Sequence, residues 1–202
     1  MSDELSSVIA ATARWLVRSY PTAGGVFSAA LAEAQARQAV TVAAWLRYPT
    51  PLDAALVAVA GPGGARRLDR ITGSAPPETG ERAEEAAGLS WIPAPRDPGD
   101  DGDAWRTWVD EVLASWAACL LTSPRLAREA AAAASRGEHA RGLAVDFRRL
   151  TAPDEYDRRA APLLRHPDLL APVAGLHRAE FLRCLRSLRG PEVPEAGAAP
   201  AG

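Results

Sequence analysis

Residues 104–121 read Ala-Trp-Arg-Thr-Trp-Val-Asp-Glu-Val-Leu-Ala-Ser-Trp-Ala-Ala-Cys-Leu-Leu, and this stretch decides the fold class. Trp105, Trp108, Val109, Val112, Leu113, Trp116 and Leu120 recur at intervals of three and four, the period of one helix face rather than the alternation of a strand. The spacing predicts a helix over 104–121 with a wide apolar side that must be covered by other helices.

The flanking sequence repeats the pattern on both sides. Leu5, Val8, Ile9, Ala13 and Leu16 predict a helix over 3–20, closed by Pro21 and Gly24-Gly25. A longer one follows over 26–48, with Gln35 and Gln38 interrupting its apolar stripe. Thr50-Pro51-Leu52-Asp53 is a helix start: a hydroxyl cap, proline in the first turn and a carboxylate placed to reach back to the cap. That helix, 52–60, ends at Gly61-Pro62-Gly63-Gly64, and a short basic helix, 65–72, closes at Gly73. After the Trp-rich segment, Ser123-Pro124 opens a helix through the alanine run to 135. Residues 143–150 are compatible with helix or strand. Thr151-Ala152-Pro153-Asp154 starts a helix to 165, and His166-Pro167-Asp168 separates it from a last helix over 169–189. The expectation is one all-α domain over 1–189, with about seven to nine helices.

Two segments depart from this pattern. Residues 74–103 are rich in Pro, Gly and acid and read as a long loop excursion, with one helix possible at 81–87. Residues 190–202, made of Pro, Ala, Gly and Glu with a single Val, read as a disordered tail.

Composition bounds the class. The chain has 202 residues and a net charge of −2; Ala fills 44 positions, all 23 basic residues are Arg, and Lys and Asn are absent. That bias suggests a GC-rich bacterial genome, and the alanines favour helix over strand. The acidic start Met1-Ser2-Asp3-Glu4 lacks the basic region of a signal peptide, no run of 18 apolar residues occurs, and Cys119 and Cys184 have no metal-site spacing. A cytoplasmic protein without a membrane span is expected. Charge is uneven: residues 1–75 hold 7 Arg against 5 acids, 76–111 hold 3 against 10, and 125–189 hold 13 against 8. Solvated helix faces explain such blocks as well as binding patches do.

Few residues suggest chemistry. His177, Glu180 and Cys184 share a helix face at i, i+3 and i+7, ligand types that suit zinc or iron. The His-x-x-Glu order reverses that of di-iron bundles and no second half-site exists, so no metal is expected. Asp97, Asp100, Asp101 and Asp103 resemble a calcium loop, but Gly99 and Trp108 stand where an EF-hand needs an oxygen ligand and a glutamate. Gly61–Gly64 lacks the third glycine of a dinucleotide loop, and no lysine exists for a phosphate-binding loop. His139, His166 and His177 are candidate bases without a recognisable nucleophile motif. No cofactor is expected.

What remains points to binding. Trp91, in an apolar cluster within the polar excursion, and Arg178, Arg186 and Arg189, on the last helix, are candidate contacts for a protein partner. The expected function is a non-catalytic accessory or partner-binding protein, assisting a biosynthetic or regulatory protein. One alternative is a DNA-binding regulator: 52–72 forms a helix–turn–helix-like unit whose Arg66, Arg67 and Arg70 would contact phosphates and guanine edges. Another is a helical enzyme or ligand binder with a His–carboxylate pocket.

Overall fold

The frame of the computed structural model is a pair of long helices, α1 (Asp3–Ser19) and α2 (Val26–Arg47), with Leu5, Val8, Trp15 and Leu16 of α1 fully buried. Residues 3–61, 63–75 and 104–190 are described. The excursion over 76–103, including Trp91 and the 81–87 helix, lies outside them, as do Pro62 and residues 191–202 of the tail. Among the described residues there are eleven α-helices and no strand; the domain is all-α.

Short helices follow the expected signals. Thr50 and Asp53 form the expected capping box before α3 (Pro51–Ala60): the Asp53 amide donates to Thr50 Oγ1 at 3.3 Å, and the Thr50 amide to Asp53 Oδ2 at 3.0 Å. α4 (Ala65–Thr72) runs between two glycines of positive φ, Gly64 and Gly73. Ser123 caps α6 (Pro124–Ala134), its Oγ accepting from the Leu126 amide.

Three segments are more broken than their periodicity implies, which takes the helix number past the expected nine. Within 104–121, Ala104–Trp108 forms a 3-10 turn and the helix proper, α5 (Glu111–Thr122), starts later. Asp110 causes the break. Its Oδ1 accepts from the Val112 amide at 2.8 Å as an N-cap, while its backbone forms an isolated bridge with Gly64. The 151–165 segment divides into α8 (Glu155–Ala160) and α9 (Pro162–Arg165), and a separate turn, α7 (Arg148–Thr151), precedes them at the end of the 143–150 stretch. Asp154 and Asp157 form a capping box for α8, and Pro162, which has no N–H to continue a helix, opens α9. Residues 143–147 are neither helix nor strand. The last helix is two, α10 (Pro167–Gly175) and α11 (Arg178–Arg189). Pro172 removes a backbone donor inside α10, and the His177 amide leaves the helical ladder to donate to Ser115 Oγ at 3.0 Å.

α2 is the hub, packed by α1, α5, α6, α7 and α8, and α10 covers the far side of α5. Its stretch 42–46 is therefore buried all round. The two glutamines that interrupt its stripe are its attachment points. Buried Gln35 donates from Nε2 to the Asp157 carbonyl at 2.8 Å, and its Oε1 accepts from Arg165 Nε at 2.6 Å. Gln38 donates to the Asp146 carbonyl and accepts from the Leu150 amide. Both tie the irregular 146–165 segment to the core. Trp116 and Phe181, 4.9 Å apart between ring centroids, lock α11 to α5. No described helix is long and apolar enough to cross a membrane.

Candidate functional site

α3 is almost wholly apolar: Asp53 is its one polar residue, and the capping box engages that carboxylate. Only Ala54 and Val57 face the body as buried residues. On the opposite side Leu52, Leu56 and Val59, at i, i+4 and i+7, are 70%, 57% and 85% exposed. This ten-residue helix packs chiefly on α1, and among the described residues none buries that side. Exposed large apolar side chains also occur at Val26 and Phe27, the start of α2, but without a continuing stripe.

Beside this face lies a cavity of about 220 Å³, bounded by Leu56, Val57, Ala60, Gly61 and Gly63, and by Tyr48 and Asp110. Tyr48 donates its hydroxyl to Asp110 Oδ2 at 2.5 Å. Burial, and then the Asp110 carboxylate, push the Tyr48 phenol well above its ordinary value, so it remains a donor. His139 supports the arrangement from behind: its ring stacks on Trp45 and its Nε2 lies 2.6 Å from the Tyr48 carbonyl.

A row of ionisable side chains joins four helices. Arg67 Nη1 lies 2.8 Å from Glu111 Oε1, which lies 3.5 Å from His177 Nε2; His177 Nδ1 is 3.7 Å from Glu180 Oε2, and Glu180 Oε1 is 3.3 Å from Arg47 Nη1. His177 and Glu180 are thus brought together, whereas the Cys184 thiol turns to the Leu46 carbonyl at 3.8 Å. Among the described residues no three His, Cys, Asp or Glu side chains converge as a metal site. The Ser115 hydroxyl is bound to the His177 backbone, not to its ring. Cys119 is buried, and desolvation raises its thiol to about 11, which removes it as a thiolate nucleophile at neutral pH.

The glycine turn before α4 faces a carboxylate. A Cβ at Gly64 would stand 2.7 Å from Glu111 Cβ and 2.9 Å from Glu111 Oε2, and the backbone there has φ of +109°. An anion approaching this turn would meet Glu111, which disfavours a phosphate cradle.

Arg66, Arg67 and Arg70 are all exposed on α4, with Arg67 engaged by Glu111. Arg178 and Arg189 line one groove of about 270 Å³ with Arg125 and Glu129, and Arg189 pairs with Glu129 at 2.9 Å. Arg186 is exposed away from that lining. The outer face of α3 and the Tyr48–Asp110 pair were not among the sequence candidates. The first had a signal, a ten-residue helix with one polar side chain; the second joins residues 62 positions apart and had none.

No protein-family model, curated protein or solved structure matches this chain.

Proposed function

We propose that this chain is a non-catalytic partner-binding protein, an accessory to a biosynthetic or regulatory protein, and that it docks through the outer face of α3. The observation that carries the reading is the exposed Leu52–Leu56–Val59 stripe on a helix with no free charge. Contiguous exposed apolar surface of this kind is a feature of docking sites, and a helix face at i, i+4 and i+7 presents it in one line. The row of ionisable side chains around His177 supports a structural rather than a catalytic reading, since its members contact one another across helices.

The DNA-binding alternative keeps one favourable observation, the exposed Arg66 and Arg70 on α4. Against it, α3 packs mainly on α1 and α4 on α10, so the two do not form the mutually packed pair of a helix–turn–helix unit.

The test is capture from a GC-rich bacterial host with the native chain, a Leu52→Ser/Leu56→Ser/Val59→Ser variant and an Arg66→Ala/Arg67→Ala/Arg70→Ala variant. A stoichiometric protein companion lost only with the α3 variant is the expected result. Nuclease-sensitive absorbance at 260 nm lost only with the α4 variant would replace this reading by the DNA-binding one. A companion retained by both variants would remove α3 as the docking face.

A further inference from the structure

We propose that the segment docking on α3 carries a lysine or arginine, whose aliphatic stem lies over Leu56 and Ala60 and whose cationic head reaches Asp110. The proposal rests on the docking reading above and names the chemistry of the partner.

Three observations support it. The cavity beside α3 is continuous with the exposed stripe, because Leu56 belongs to both. Among the described residues its lining side chains are apolar apart from Tyr48 and Asp110, and Asp110 is the only charged one. An open groove that sets apolar side chains beside one carboxylate matches a side chain with an apolar stem and a cationic tip, which covers the stem and keeps its charge paired. The volume, about 220 Å³, falls below the ~300–1,000 Å³ of ordinary small-molecule sites, a size that suits one inserted side chain better than a whole ligand. The two bonds already made to Asp110, from Tyr48 and from the Val112 amide, take one lone pair on each oxygen and hold the carboxylate in place.

A second copy of this chain is a poorer occupant. A stable dimer buries about 800 Å² per partner, well beyond what three side chains of a ten-residue helix offer.

The experiment is selection of a randomised twelve-residue peptide library on the native chain, followed by titration of the enriched peptides. The binding partners compared are the native chain, Asp110→Asn and Leu56→Ser. Asparagine caps a helix as well as aspartate does, so Asp110→Asn keeps the start of α5 while removing the charge. Enriched peptides should contain a lysine or arginine among apolar residues at helical spacing. Replacing that arginine by citrulline should weaken binding to the native chain tenfold or more and leave binding to Asp110→Asn unchanged. Leu56→Ser should weaken the arginine and citrulline forms alike. Enriched apolar peptides without a basic residue would overturn this inference and leave the docking reading standing. No enrichment, or enrichment indifferent to Leu56→Ser, would overturn both. A native dimer that dissociates in Leu56→Ser, seen by sedimentation velocity, would make a second copy the occupant instead.

Discussion

Asp69 accepts a hydrogen bond from Trp15 Nε1 at 2.8 Å through one carboxylate oxygen and pairs with Arg106 Nη1 at 2.5 Å through the other. The buried carboxylate thereby ties α1 and α4 to the 3-10 turn before α5. Removing it strands an indole N–H that is completely buried and leaves a half-buried guanidinium without this partner. Asp69→Ala should cost about 2–3 kcal/mol in urea unfolding, and Asp69→Asn less, because the amide oxygen still accepts from Trp15. Equal losses would mean that the charge of Asp69, rather than its hydrogen bonding, holds the joint.

Gln35 sets the local stability of the 146–165 segment. Burial lowers the Arg165 guanidinium below its ordinary value, so losing the Gln35 contact is felt in a desolvated place. Gln35→Ala should destabilise by about 1–3 kcal/mol. Hydrogen exchange should show faster opening of α7, α8 and α9 and preserved protection in α1, α2 and α5. Uniform loss of protection would contradict the attachment role.

Alkaline pH should weaken the fold. Desolvation raises the Cys119 thiol from 9.0 to about 11, and the Tyr48 phenol is raised as well. A group raised on folding binds its proton more tightly in the native state. Its contribution is complete below the unfolded value and is lost as pH climbs towards the folded one. The melting temperature should therefore be flat to about pH 9 and fall above it, the Cys119 share being lost by about pH 11 and the Tyr48 share continuing beyond. Cys119→Ala should shallow that decline, leaving the share due to Tyr48, Tyr20 and Cys184, which burial raises as well. An unchanged slope would assign the decline elsewhere.

The outer face of α3 should be stability-neutral. Leu52→Ser, Leu56→Ser and Val59→Ser each expose less apolar surface without opening a cavity, so each should shift unfolding by no more than about 0.5 kcal/mol. A loss of 2 kcal/mol or more at Leu56 would show the face to be packed within this chain.

Much of the fold is written locally. Helix periodicity, the Thr50–Asp53 box, the Ser123 cap and the glycines around α4 act over three to seven residues, so they can be read before any tertiary contact is known. The 151–165 segment breaks at local signals, the Asp154–Asp157 box and Pro162, but at the other two breaks a distant partner intervened. Asp110 stops a helix because Gly64 and Tyr48 are there to receive it, and the 169–189 pattern breaks where Ser115 takes the His177 amide. Gln35 and Gln38 looked like flaws in a stripe until their partners, more than a hundred residues on, were in place.

The sequence by itself determined the helical class, most helix starts and the absence of an apolar run long enough to span a membrane, because these follow from local capping, propensity and composition. The tertiary structure decided which apolar helix face stays uncovered and which carboxylate ends up at its side. Both depend on how many neighbours each helix acquires, and neighbours are set by packing across the whole chain.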